Sequence, residues 1–174
     1  MSRVNERASW LVLAYRVPGE TARLRASVWR RLKAAGAVYL ASSVAALPAA
    51  PSAERLLRRL RSDISRAGGS AQLLRAGPLA GGADLVRLYN AARDDEYARI
   101  IAGCDELLGT IGSWAAGRPS RADLAAGDRE LARLARWEDK ARARDTFGAR
   151  QAESATAAVA KCSGALDGLA GAHE

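Results

Sequence analysis

Arginine is the residue type with the most chemistry to offer in this chain, and it is concentrated near the start. Residues 1–80 hold 14 Lys and Arg against 4 Asp and Glu, whereas residues 81–174 hold 13 against 15. The whole chain carries a formal net charge of +8. Guanidinium groups match phosphate oxygens with paired hydrogen bonds, and such contacts dominate sequence-independent affinity for nucleic acid. An excess of this kind in one half points to DNA or another polyanion as partner. The candidates for anion contact are Arg23, Arg30, Arg31 and Lys33 in one segment and Arg55, Arg58, Arg59 and Arg66 in another. A solvated basic face without a ligand is the plainer alternative. Among the 27 basic residues only Lys33, Lys140 and Lys161 are lysine, a bias that a GC-rich coding sequence also produces. It explains arginine in place of lysine, but not the scarcity of acids in 1–80.

A second constellation is Ala92-Arg-Asp-Asp-Glu-Tyr97. Asp94, Asp95 and Glu96 are carboxylates, but neighbouring positions diverge around a helix, so they do not converge on one metal ion. Arg93 and Tyr97 lie one turn apart and share a face; with Trp29 they are candidates for a ligand pocket, against the plainer reading of a buried structural network. Trp29 is also a candidate for stacking on a base, although a Trp beside an apolar stripe more often serves a core or an interface. The one histidine, His173, leaves no material for a histidine-based zinc site or a Ser-His-Asp triad. The glycine pairs at 68–69 and 81–82 lack a phosphate-loop motif and its lysine. No catalytic residue, metal site or cofactor is expected, and a non-enzymatic role is favoured.

The elements that must position these groups are legible from periodicity. Trp10–Tyr15 reads as a buried strand closed by Val17-Pro18-Gly19. Glu20–Ala35 reads as a helix with Leu24, Val28 and Leu32 on one stripe, stopped by Gly36. Ala37–Ala41 and Val44–Leu47, split by Ser42-Ser43, read as a hairpin ended by Pro48. Ser52 is the expected N-cap of a helix carrying Ala53, Leu57, Leu60 and Ile64, stopped at Gly68-Gly69. Gln72–Ala76 is a fourth strand. Strand, helix, strand, strand, helix, strand is the order of a ferredoxin-like four-stranded antiparallel sheet with two helices on one face. A winged helix is the competing topology, weaker because it leaves strand 10–15 without a partner.

After residue 80 the pattern is helical. Asp84–Trp114 is one long helix or two joined, with Tyr97, Ile101, Cys104, Leu108 and Ile111 as a heptad-like seam. Gly117-Arg-Pro-Ser breaks it, and Ser120 caps a helix striped by Leu124, Leu131 and Leu134. After Gly148, Ala152, Ala155, Val159, Cys162, Leu166 and Leu169 form a last stripe. The fold class is therefore α+β: a basic ferredoxin-like core at 8–80, then a helical region at 81–174 packed on the core or on a partner subunit. Cys104 and Cys162, without a CxxC, read as buried thiols in a reducing compartment. No apolar run reaches the ~20 residues of a membrane span. The run at 10–15 behind Arg3, Glu6 and Arg7 is too short and wrongly flanked for a signal peptide. A cytoplasmic protein is expected.

Several segments together resemble a known family. They are Trp10-Leu-Val-Leu-Ala-Tyr15 with Pro18, Val28-Trp-Arg-Arg-Leu-Lys-Ala-Ala-Gly-Ala37, and the Val-x-x-Leu-Pro run ending at Pro48. Ile64 with Gly68-Gly69, Ala92-Arg-Asp-Asp-Glu-Tyr97 and Arg144-Asp-Thr-Phe-Gly148 follow in order. The set resembles the amino-terminal domain of the chromate-resistance regulator family, ChrB-like. The resemblance implies a cytoplasmic bacterial regulator of chromate-responsive expression, and a ferredoxin-like core related to phenylacetate-pathway repressors and small CRISPR-associated integration subunits. Full-length members carry a further carboxy-terminal domain. CRISPR-associated relatives with nuclease activity place an aspartate at the end of the first strand; here that region is Ala14-Tyr15-Arg16, which does not support metal-dependent cleavage.

The expected function is a DNA-associated transcriptional regulator responsive to an oxyanion such as chromate, acting as a homo-oligomer and without a membrane partner. Arg30, Arg31, Arg55 and Arg59 are the leading contacts. The alternatives are a dimerising or protein-docking module, and a small-ligand binder or enzyme using Arg93 and Tyr97.

Overall fold

The computed structural model describes residues 8–19, 21–117 and 119–171. Arg3, Glu6, Arg7, Glu20 (the expected first residue of a helix), Arg118 and His173 lie outside the described residues. The elements in order are β1 (Trp10–Arg16), α1 (Ala22–Ala34), β2 (Val38–Ala41), β3 (Val44–Pro48), α2 (Pro51–Arg66) and β4 (Ser70–Ala76). Three helices follow: α3 (Gly82–Ala115), α4 (Arg121–Arg144) and α5 (Ala152–Gly171). The chain divides into two compact units, 1–92 and 93–174, with the division inside α3.

In the first unit the strands form one antiparallel sheet of order β2-β3-β1-β4. With one helix after β1 and another after β3, this is the ferredoxin-like arrangement. Leu11 and Leu13 alternate onto one face and register with Leu47 and Ala45 on β3 and with Arg75 and Leu73 on β4. Val28 and Leu32 of α1 and Leu57, Leu60 and Ile64 of α2 bury against that face. Each such side chain, removed from water, contributes about 1.5–3 kcal/mol before the entropy of ordering is subtracted. On the opposite face the Trp10 ring meets Tyr89 of α3 edge-on at 5.7 Å.

Glycine conformation sets two of the turns. Gly36 has φ +84° after α1, and Gly68 has φ +78° after α2, so both hold the left-handed geometry that other residues resist. Ser52 is not the N-cap expected of it. The cap position belongs to Ala50 in extended backbone, with Pro51 first in the helix. Proline has no N–H to satisfy and a φ already suited to the first turn, so the helix starts one step earlier than a side-chain cap at Ser52 would allow.

In the second unit α3, α4 and α5 share a core of Tyr97, Ile100, Cys104, Leu107, Ile111, Leu134, Ala141, Ala155, Cys162, Leu166 and Leu169. The expected seam is corrected here. Tyr97, Cys104 and Ile111 are buried as the seam requires, but Ile100 and Leu107 take the buried places between them, while Ile101 and Leu108 are half-buried at its flank. Neighbouring positions lie about 100° apart on a helix, and two packed partners widen the buried stripe to take in both. Ser120 caps α4 as its type suggests: its hydroxyl accepts from Asp123 N at 3.2 Å while Asp123 accepts from Ser120 N at 2.9 Å. Among the described residues no helix is long and apolar enough to cross a membrane.

Candidate anion-binding face

α1 and α2 run antiparallel, because each returns along a strand and β1 and β3 are themselves antiparallel. They are joined where Arg31 Nη1 donates to Asp63 Oδ2 at 2.7 Å. Arg66 also donates to Asp63, so one carboxylate serves two guanidinium groups. Those contacts, Arg31 first, hold the Asp63 carboxyl below the usual carboxylate range. Arg55 and Arg59 step toward Asp63 along α2, each one turn before the next, and both are exposed. Arg23 and Arg30, two turns apart on α1, are exposed as well. Among the described residues no acid pairs with Arg23, Arg30, Arg55 or Arg59. The face thus carries a partly neutralised pair, Arg31 and Arg66, beside exposed cations.

Three members of the expected set stand apart. Trp29 is 50% exposed, so it is not a core residue. It lies two positions from Arg31, about 200° round the helix, so its ring turns away from α2. Lys33, exposed, sits with its Nζ 5.9 Å from the centre of the Trp29 ring, on that same far flank. Arg58 lies on the opposite flank of α2, where it donates to Glu54 Oε1 at 2.7 Å and lines a groove with Arg61 and Arg75 at β4.

Arg75 and the acids Glu54 and Asp63 were not among the sequence candidates. The signal for the acids was present. With so few acids in 1–80, Glu54 at four residues before Arg58 and Asp63 at three before Arg66 are spaced to pair with those arginines, Asp63 on the α1–α2 face and Glu54 on the β4 flank. Arg75 belongs to a strand, and its reach back to Glu54 at 2.9 Å follows from tertiary packing alone.

The charged run of α3 forms a closed network inside the second unit. Arg93 is 5% exposed and Tyr97 fully buried. Glu96 pairs with Arg93 at 3.5 Å and with Arg144, and accepts from Trp137 Nε1 at 3.2 Å. Tyr97 OH donates to Asp145 Oδ2 at 3.3 Å, and Asp145 Oδ1 accepts from Gly148 N and Ala149 N at 2.9 and 3.0 Å. Asp94 Oδ1 accepts from Gln151 N at 2.9 Å ahead of α5. Arg93-Asp-Asp-Glu-Tyr97 and Arg144-Asp-Thr-Phe-Gly148 thus hold each other and fix the turn between α4 and α5. Burial and the neighbouring Asp145 push the Tyr97 hydroxyl up to about 12, so it stays protonated. Trp29 belongs to the first unit and Arg93 and Tyr97 to the second. No cluster of three or more potential metal ligands occurs among the described residues.

No curated protein and no solved structure matches the chain. A family model does match, over residues 25–172, and its description is Protein ChrB, N-terminal. The match runs from within α1 to the last residues of the chain and takes in α2, β4 and the whole of the second unit's polar network. The chain therefore belongs to the family of the ChrB amino-terminal domain.

Proposed function

We propose that this chain is a DNA-associated regulator that meets the phosphate backbone with the outer face of α1 and α2. The observation that carries the reading is the set of exposed guanidinium groups at Arg23, Arg30, Arg55 and Arg59, without acidic partners among the described residues, flanking the fixed Arg31–Asp63–Arg66 cluster. The helices fix the backbone beneath these groups, so binding orders the exposed side chains but not the chain itself. The contact is electrostatic, and its affinity falls steeply with salt, by a slope of about −0.9 per phosphate engaged. A small oxyanion such as chromate presents the same oxygens and competes for the same arginines.

The test is fluorescence anisotropy of a labelled duplex across a salt series. Arg30→Glu with Arg55→Glu and Arg59→Glu abolishes binding at low salt, whereas Trp29→Ala, on the far flank, leaves the salt slope unchanged. Chromate and sulfate, tetrahedral dianions alike, both release the duplex at millimolar concentrations if they compete for these arginines. Binding that survives the triple charge reversal overturns the assignment of the face, and failure of either anion to release the duplex overturns the oxyanion competition.

A further inference from the structure

The outer edge of the sheet has chemistry of its own, separate from the α1–α2 face. β4 is a terminal strand, paired with β1 on one side only. A groove of about 530 Å³ runs between it and α2, lined by Arg58, Arg61, Leu73, Leu74 and Arg75 with Glu54 among them. Arg61 Nε donates to the Ala71 carbonyl at 3.3 Å, which shows that the backbone groups of Ala71 point outward from the sheet. Backbone direction alternates along a strand, so Leu73 and Arg75 also turn their N–H and C=O groups outward. Arg61 closes one end of the edge, and the stretch beyond it presents donors and acceptors in strand register.

We infer that this edge accepts an extended acidic segment of a partner protein, added as a fifth strand. Three arginines line the groove against one glutamate, so the charge favours carboxylates. The backbone groups distinguish a peptide from DNA: phosphates only accept hydrogen bonds and leave the β4 carbonyls without donors, whereas a peptide strand supplies both. A second copy of this chain is disfavoured, because pairing β4 with β4 sets two arginine-rich edges against each other. Alternation in the added strand directs every second side chain toward Arg58 and Arg61 and the others toward the side of Leu74, which is 55% exposed. The segment that fits alternates acidic and apolar residues. Glu54 now holds Arg58 and Arg75 at 2.7 and 2.9 Å, so it competes with the incoming carboxylates from within the chain.

The probe is a labelled peptide of alternating glutamate and valine, as long as the 7 residues of β4. It binds the full chain saturably by anisotropy. Arg61→Glu and Arg75→Glu each weaken it by about tenfold or more, as loss of a charge-assisted bond does. Glu54→Gln strengthens it. Arg75→Pro, at a position whose N–H faces away from β1, blocks the edge while the β1–β4 ladder persists, checked by an unchanged thermal melt. An equally charged peptide of alternating glutamate and proline fails to bind. Absent binding overturns the inference, as does equal binding of the proline peptide or indifference to Arg75→Pro. Self-association of the chain that Arg75→Pro removes overturns it in favour of a second copy. Tighter binding of duplex DNA than of the peptide, lost in Arg61→Glu, overturns it in favour of nucleic acid.

Discussion

Arg31 of α1 donates to Asp63 of α2 at 2.7 Å, and this bond both ties the two helices and removes charge from the face they form. Asp63 answers Arg66 as well, so a single carboxylate holds two cations of the proposed phosphate-binding surface.

Asp63→Asn separates those two roles. It releases Arg31 and Arg66, so DNA binding tightens at low salt and the salt slope steepens by up to about 2, one unit per phosphate gained. The helix tie weakens, but for a pair this close to solvent the cost is about 0.5–1 kcal/mol. The same linkage appears with pH. The depressed carboxyl stabilises the fold above the ordinary aspartate range of about pH 4, and that contribution is lost as pH falls through the folded value. Anisotropy and urea titrations of the wild type and Asp63→Asn check both; a variant that binds DNA more weakly sinks the idea that Asp63 restrains the face.

Glu96 holds a different balance. Its side chain is 14% exposed and answers Arg93, Arg144 and Trp137 together. Glu96→Ala takes that carboxylate from two largely buried guanidinium groups and an acceptor from Trp137, at a cost of about 1–3 kcal/mol. Glu96→Gln retains an acceptor for Trp137 and costs less. Urea unfolding, with amide exchange to assign the loss to residues 93–171, reads the difference. Equal stability of the two variants would show that an acceptor at this position, for Trp137 or the two arginines, contributes nothing to the fold.

Much of this architecture is written in local pattern. The stripes Leu24-Val28-Leu32 and Leu57-Leu60-Ile64, the Gly36 stop and the Ser42-Ser43 hairpin determine the order of elements, and that order selects the sheet. Ser120 was legible for the same reason, since its partner Asp123 is three residues away. What periodicity does not carry is partnership at long range. Ile100 rather than Ile101 lines the α3 seam because two helices pack there, and Arg75 meets Glu54 only once β4 lies beside α2. The candidate face was legible as charge, whereas its division between an α1 flank and a β4 flank depends on packing that no single element encodes.

Gly68 and Gly69 look like one helix stop in sequence but have separate duties. Gly68 supplies φ +78° with open space around it, whereas a Cβ on Gly69 would lie 2.5 Å from the Arg16 carbonyl oxygen and 2.7 Å from Ile64 Cγ2. Asn tolerates the left-handed region, so Gly68→Asn costs at most about 1 kcal/mol. Gly69→Asn or Gly69→Ala forces the end of β1 away from α2, at about 3 kcal/mol, the upper range of overpacking, since a backbone carbonyl does not swing aside. Thermal melts rank them. If Gly68→Asn is the more damaging, the Arg16 carbonyl and Ile64 give way to a Cβ at Gly69.

Cys104 and Cys162 meet inside the second unit, with Cys162 Sγ donating to the Cys104 carbonyl at 3.4 Å, and both are fully buried. Burial first, then the neighbouring Cys162, pushes the Cys104 thiol up to about 12. The folded chain therefore keeps a proton that the unfolded chain loses near pH 9, and stability falls as pH rises from there through 12, by at most about 1.4 kcal/mol per pH unit for this group. Cys104→Ala has no such proton to lose. The stability gap between wild type and variant, set at neutral pH by the lost packing, shrinks steadily above about pH 9. Urea midpoints at neutral and alkaline pH measure that gap directly. At neutral pH neither thiol is a thiolate, so alkylation of the native protein waits on opening of the helices and slows in step with every stabilising change to the 93–171 core. Rapid alkylation of Cys104 in the folded chain, or a gap that does not change with pH, would place the thiol at the surface rather than in the core.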